Sequence, residues 1–112
     1  MKASALTTHI LDTASGRPAQ GVRVELFRLE GEARVKVTEA LTNADGRTDA
    51  PLMTAADFVA GTYELRFHIG AHFKGEGFLD EVPIVVTLRA GEGHYHVPLL
   101  CTPWSYATYR GS

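Results

Sequence analysis

Along most of the chain, apolar and polar residues alternate with a period of two. Tyr63-Glu64-Leu65-Arg66-Phe67-His68-Ile69 sets Tyr63, Leu65, Phe67 and Ile69 on one face, the pattern of a half-buried β-strand. Val22, Val24 and Leu26 alternate with Arg23 and Glu25 in the same way, and Val35, Val37 and Leu41 suggest a partner strand reached through the turn Glu30-Gly31-Glu32. Residues 83–89 form a β-branched run with Ile84, Val86 and Leu88 on one side. Residues 6–12, 94–102 and 104–110 complete a set of about seven strands, with Pro103 bending the chain between the last two. Ser15-Gly16-Arg17-Pro18, Asn43-Ala44-Asp45-Gly46 and Ala90-Gly91-Glu92-Gly93 carry the turn chemistry. Helix is scarce: about two turns within residues 70–77, and a capping-like Thr54-Ala55-Ala56-Asp57 that Gly61 stops. The pattern predicts an all-β, two-sheet β-sandwich with one short helix.

Size sharpens this picture. The chain has 112 residues, 45% of them hydrophobic, which suits a single domain over residues 1–112. So small a domain has little room for a deep internal site, so chemistry belongs on a shallow face or between subunits. Lys plus Arg number 11 against 13 Asp plus Glu, which argues against a polybasic surface for nucleic acid or membrane. The single Cys101 cannot form an intrachain disulfide, and its setting among Leu99, Leu100 and Thr102 reads as a buried apolar side chain. No apolar run approaches the roughly 20 residues of a membrane span. Met1-Lys2-Ala3-Ser4-Ala5 lacks the apolar stretch of a secretory leader. The expectation is a soluble cytoplasmic protein, or a periplasmic one if a leader has been removed.

Five histidines stand out in so short a chain. His94 and His96 are two apart, so both leave the same face of a strand. His9 shares a strand face with Thr7 and Leu11. Mid-strand histidines commonly serve as hydrogen-bonded structural groups; the near-neutral pKa of imidazole also suits proton transfer. The His-x-His pair admits a further reading as two zinc ligands, although a third ligand and an open position are not evident. His68 and His72 read as surface residues. Arg47, after Asp45-Gly46, is either a solvated turn charge or a guanidinium fork offered to a planar polar ligand. Asp12 and Asp49 could orient a His or Arg, or cap turns. Trp104-Ser105-Tyr106-Ala107-Thr108-Tyr109-Arg110-Gly111-Ser112 is aromatic and strand-like, unlike a frayed terminus, so the tail is expected to be docked. Phosphate loops, nucleophile elbows and dinucleotide fingerprints do not occur.

Several of these segments together carry a resemblance. Leu6-Thr7-Thr8-His9-Ile10-Leu11-Asp12 with Gly16-Arg17-Pro18-Ala19, then Asp45-Gly46-Arg47, then His94-Tyr95-His96-Val97-Pro98-Leu99-Leu100, then Tyr109-Arg110-Gly111-Ser112, resemble the purine-degrading branch of the transthyretin-like family, which hydrolyses 5-hydroxyisourate. The resemblance runs from about Leu6 to Ser112, and the final tetrapeptide discriminates best. Transthyretin itself looks different at the two histidines, the arginine and the ending. Cys101-Thr102-Pro103-Trp104 departs from the family's usual Leu-Ser-Pro and bears on packing rather than chemistry.

The resemblance implies a transthyretin-like (prealbumin-like) sandwich assembled as a homotetramer, a dimer of dimers with sites in a central channel. It implies His9, Arg47 and His96 as catalytic residues. Substrate binding would fall to His9, Arg47, Tyr109, Arg110, Gly111 and Ser112, with no metal or organic cofactor. The reaction would open the six-membered ring of 5-hydroxyisourate to 2-oxo-4-hydroxy-4-carboxy-5-ureidoimidazoline. Such a hydrolysis needs an activated water, a donor for the oxyanion and an acid for the departing nitrogen. His9 and His96 suit the first task as a pair, without the sequence telling which is the base, and Arg47 suits the second. The competing expectations are a non-catalytic carrier of a small aromatic ligand, a metal-dependent hydrolase built on His94 and His96, and a purely structural domain.

Overall fold

The computed structural model describes residues 4–112. Met1, Lys2 and Ala3, part of the start read as lacking a secretory leader, lie outside them. The described residues form eight strands and one helical turn: β1 (Leu6–Asp12), β2 (Arg17–Pro18), β3 (Arg23–Glu30), β4 (Ala33–Leu41), β5 (Gly61–His68), α1 (Ile69–His72), β6 (Glu81–Leu88), β7 (Tyr95–Cys101) and β8 (Tyr106–Thr108). They make two four-stranded sheets, ordered β2-β1-β7-β8 and β4-β3-β5-β6. The two-sheet sandwich expected from the alternation is what forms.

The alternation does its work in the core. Tyr63, Leu65 and Phe67 of β5 point inward and are fully buried with Val24 and Leu26 of β3. Opposite them lie Leu6 and Ile10 of β1 with Tyr95, Val97 and Leu99 of β7. Each such side chain contributes about 1.5–3 kcal/mol by leaving water. Cys101 sits on the same inner face with no exposed surface, as its apolar neighbours suggested. Burial pushes its thiol up to about 11, which makes it a poor nucleophile.

Elsewhere the elements depart from the sequence reading, each for a local reason. The last strand, expected over residues 104–110, is confined to Tyr106–Thr108. The Thr102 hydroxyl accepts from the backbone N–H groups of Trp104 and Ser105 and curls that stretch into a turn. The helix, expected as about two turns within residues 70–77, is a single turn over Ile69–His72 that stops where Lys74 and Gly75 take positive φ. Thr54 and Asp57 exchange side-chain and backbone bonds but close only a turn. Arg17 and Pro18, read as turn residues, pair with β1. β4 forms where Val35, Val37 and Leu41 suggested, yet these three are 48%, 42% and 64% exposed. A bulge opposite Leu26 and Phe27 shifts the register, so that Thr38 and Ala40 are the β4 residues paired with buried Leu26 and Val24.

One pairing positions everything that follows. β1 and β7 run parallel, with Thr7 opposite His96 and His9 opposite Pro98, while all the other strand pairs are antiparallel. Because β1 buries Leu6, Thr8, Ile10 and Asp12, its odd-numbered residues face outward, and those of β7 that match them begin with His96.

Candidate functional site

The outer face of β1 and β7 collects the polar residues that the strand cores do not need. Thr7 and His9 leave β1 on this face, and His96 leaves β7 beside Thr7. The Thr7 hydroxyl lies 2.9 Å from His96 Nδ1 and 2.8 Å from His94 Nε2, so one oxygen joins the two imidazoles.

Arg47 arrives on a turn built by Asn43. The Asn43 side-chain oxygen accepts from the N–H groups of Asp45 and Arg47, and the Asn43 N–H donates to the Arg47 carbonyl at 2.7 Å. The turn is then fastened to β1: Ile10 N–H donates to the Gly46 carbonyl at 2.8 Å, and Arg47 bridges His9. Gly46 has φ of 76°, and a Cβ there would fall 2.3 Å from the Ile10 carbonyl oxygen. Only glycine permits this approach. His9 Nε2 lies 2.8 Å from the Asp45 carbonyl oxygen. A carbonyl only accepts, so His9 carries its proton on Nε2 and keeps Nδ1 as the free base position.

The tail is docked, as its composition suggested. Gly111 N–H donates to the His96 carbonyl at 2.7 Å, and a Cβ on Gly111 would lie 2.6 Å from His96 Cδ2. The bare glycine thus lies against the edge of the His96 ring. Arg110 turns elsewhere: its guanidinium stacks 4.1 Å above the Tyr95 ring and donates to the Glu92 carbonyl. Tyr109 and Arg110 line a separate, mainly apolar depression of about 220 Å³ with Tyr95, Val97 and Ile84. In a single chain they do not meet the histidines.

Thr7, Thr8, Arg47, Thr48, His94, His96 and Ser112 line an open cavity of about 430 Å³. The structure therefore brings Arg47, His96 and Ser112 to one space, with Gly111 against it and His9 behind Arg47. Among the described residues, Arg47, His9, His94 and His96 make no ion pair. Burial, followed by the charges of Arg47, His9 and His94, lowers the pKa of His96 below the ordinary imidazole value of 6.5. A neutral imidazole capable of taking a proton at pH 7 is the result. Thr7 and Thr48 were not singled out from the sequence. The signal for Thr7 was available, since it sits two residues from His9 on the same strand face.

The remaining candidates fall outside the cavity. His68 and His72, read as surface residues, are both half-buried and bonded to carboxylates. His68 Nε2 donates to Glu25 at 2.6 Å, and His72 Nε2 donates to Asp12 at 2.9 Å. Asp12 lies at the inner end of β1, where α1 brings His72 over it, and it also accepts from Ala14 and Ser15 N–H. Burial works against the Asp12 charge, but these bonds outweigh it and hold the carboxyl below its usual value. Asp49 accepts from the Asn43 side chain. Among the described residues, the three side chains close enough to share a metal ion are Glu25, His68 and Glu81, on the other sheet. Arg23 and Lys36 already occupy Glu25 there. Among the described residues, the His94–His96 pair gains no third ligand of that kind.

A family comparison matches residues 6–111 to the HIUase/Transthyretin family. The chain belongs to that family. It is 58% identical to the 5-hydroxyisourate hydrolase of Deinococcus radiodurans over 113 aligned positions, covering 96% of this chain and 95% of the relative. The solved 5-hydroxyisourate hydrolase of Klebsiella pneumoniae matches with a TM-score of 0.82 and 39% identity, over all of this chain and 96% of that one. Sea bream transthyretin in complex with thyroxine matches with a TM-score of 0.87 and 27% identity, over 96% and 94% of the two chains. The HIUase/Transthyretin fold therefore supports more than one role, and the residues of the cavity must separate them.

Proposed function

We propose that this chain hydrolyses 5-hydroxyisourate, opening its six-membered ring to 2-oxo-4-hydroxy-4-carboxy-5-ureidoimidazoline, a step of urate degradation. The names of its relatives at up to 58% identity point there. The observation that carries the chemistry is the meeting of an imidazole biased toward neutrality, His96, with the un-ion-paired guanidinium of Arg47 on one open cavity.

The arrangement of the site supports the following steps. Thr7 engages His96 Nδ1, which leaves Nε2 as the atom that takes a proton from water. His9, held by the Asp45 carbonyl and bridged to Arg47, keeps Nδ1 free as an acceptor beside the site. The hydroxide adds to the ring carbonyl. Arg47 receives the developing oxyanion with donors fixed in a planar fork, and no bonded carboxylate competes for them. Collapse of the tetrahedral intermediate breaks the amide C–N bond, and protonated His96 returns its proton to the departing nitrogen. Tyr109 and Arg110 stand outside the cavity of one chain, so the tail's part in binding falls to Gly111 and Ser112. No step requires a metal or organic cofactor.

The reading extends to assembly. The cavity opens on the face of a small sandwich, and a homotetramer arranged as a dimer of dimers would enclose it from the other side. We also propose a cytoplasmic location, which the lone thiol of Cys101 suits, with the periplasm as the alternative. The test is the absorbance decay of freshly generated 5-hydroxyisourate, followed across a protein dilution series with sedimentation in parallel. Acceleration over the spontaneous decay is expected, with specific activity falling as the assembly dissociates. A decay no faster than without protein overturns the hydrolase reading, and a fully active monomer overturns the tetramer.

A further inference from the structure

We propose that Thr7 and His94 form a proton relay that serves His96, with His94 holding the positive charge while the proton taken from water waits on His96 Nε2 for the departing ring nitrogen. This rests on the hydrolase reading and adds to it two residues that need not touch the substrate.

The argument starts from one hydroxyl. Thr7 Oγ1 has a single proton and lies 2.9 Å from His96 Nδ1 and 2.8 Å from His94 Nε2. It can donate to only one of these nitrogens and must accept from the other. The protonation patterns of the two imidazoles are therefore locked together. When His96 carries its proton on Nδ1, leaving Nε2 free for the water, Thr7 donates to an unprotonated His94 Nε2. That is the resting arrangement hydrolysis needs. Removing the hydroxyl unlocks it.

The cycle closes without any other reactant. His96 Nε2 takes a proton from water as the new C–O bond forms. The His96 Nδ1 proton passes to Thr7 Oγ1 while the Thr7 proton passes to His94 Nε2. His96 is then neutral with its proton on Nε2, facing the intermediate, and His94 is the cation. As the amide C–N bond breaks, the Nε2 proton goes to the leaving nitrogen. The two relay protons run back, from His94 to Thr7 and from Thr7 to His96 Nδ1. The net transfer is one proton from water to nitrogen, and every group returns to its starting form.

The location of each imidazole suits its part. His94 is exposed, so water solvates its positive charge, whereas His96 is half-buried. The charged or titratable side chains that act on the His96 ring are Arg47 from the 43–47 turn, His9 from β1 and His94 just before β7, and the Ser112 end lines the same cavity. Among the described residues, no carboxylate side chain lines the cavity. A second positive charge on His96 itself would therefore face Arg47 directly, and moving it outward through Thr7 relieves that repulsion.

The test begins by confirming that the unsubstituted protein accelerates 5-hydroxyisourate decay, since failure there removes the hydrolase reading rather than the relay. Thr7→Val, which keeps the shape and removes the hydroxyl, should lower kcat by about 10–100-fold with KM changed by less than about threefold. Thr7→Ser should retain most of the activity. His94→Gln should show a comparable loss of kcat that added imidazole partly restores. In mixed H2O and D2O, the rate of the unsubstituted protein should depend on deuterium content with the curvature of several protons in motion, and that of Thr7→Val should become linear. ¹⁵N NMR of the His96 ring gives a readout without substrate: the Nδ1-protonated form should predominate and become mixed in Thr7→Val. Unchanged kcat in a folded Thr7→Val or in His94→Gln overturns the relay. So does an equal loss in Thr7→Ser, which keeps the hydroxyl.

Discussion

The two outer faces of the sandwich handle charge in opposite ways. On the β4-β3-β5-β6 sheet, cations and carboxylates interleave and satisfy one another: Glu25 binds His68, Lys36 and Arg23, and Glu64 binds Arg34 and Arg66. The bond from His68, against the opposing effect of burial and with help from Lys36 and Arg23, lowers the Glu25 pKa. On the β2-β1-β7-β8 sheet the guanidinium of Arg47 and the imidazoles of His9, His94 and His96 gather with no bonded carboxylate among the described residues. The first face spends its electrostatics on itself. The second leaves them free for whatever enters. An imidazole bonded to a carboxylate is a structural pin, and one half-buried beside cations is a base, so histidine count says less than histidine company.

The sharpest way to break this contrast is to remove one histidine from each face. His96→Ala should lower turnover by about 10²–10⁴-fold, the usual worth of a positioned acid–base group. His68→Ala should leave turnover unchanged and reduce thermal stability instead. Equal losses of activity from the two variants, measured by the substrate decay assay, would erase the distinction.

Arg47 supplies a smaller effect with a second readout. Arg47→Ala should lower kcat/KM by about 10²–10³-fold, as expected for loss of a charged oxyanion donor. The pH profile carries the sign. In the proposed mechanism neutral His96 is the active form, and its folded pKa lies below 6.5, so the acid limb of kcat/KM for the unsubstituted protein should lie below pH 6.5. Removing the nearby guanidinium removes a repulsion, so the limb should move upward toward 6.5. A limb that stays put or moves down would show that Arg47 does not act on His96.

The smallest expected effect belongs to the two carboxylates bonded to histidine, Glu25 on the charge-paired sheet and Asp12 at the end of β1. Glu25 and Asp12 both have folded pKa values lowered from their ordinary values of 4.5 and 3.8. Their contribution is therefore fully present above those unfolded values and is lost as pH falls through the lower folded ones. Thermal melts should show stability falling below about pH 4 from this source. Glu25→Gln with Asp12→Asn should flatten that fall while leaving the acid limb of activity in place.

What could be read in advance follows from the range of the forces involved. The alternation over Tyr63, Leu65 and Phe67 encodes a strand locally, and β5 forms where it says. The same alternation on β4 misled for Val35, Val37 and Leu41, because a bulge is a property of two strands together. The resemblance pointed to His9, Arg47 and His96, and the structure sets Arg47 and His96 on one cavity with His9 bridged to Arg47. That Asn43 builds the turn under Arg47, or that Gly111 must be bare against the His96 ring, depends on contacts between distant segments. His68 and His72 were misjudged for the same reason, since Glu25 and Asp12 reach them from 43 and 60 residues away. Periodicity identifies a face; only the assembled pairings identify its neighbours.

The parallel pairing of β1 with β7 also fixes when the cavity can exist. Thr7 and His96 are separated by 89 residues. At synthesis rates of about 5–20 residues per second, His96 leaves the ribosome roughly 4–18 s after Thr7. For that interval β1 has no β7 to pair with, and its backbone N–H and C=O groups on that side are open to other chains. The site is thus a late product of biosynthesis, closed only when the penultimate strand slides in beside the first.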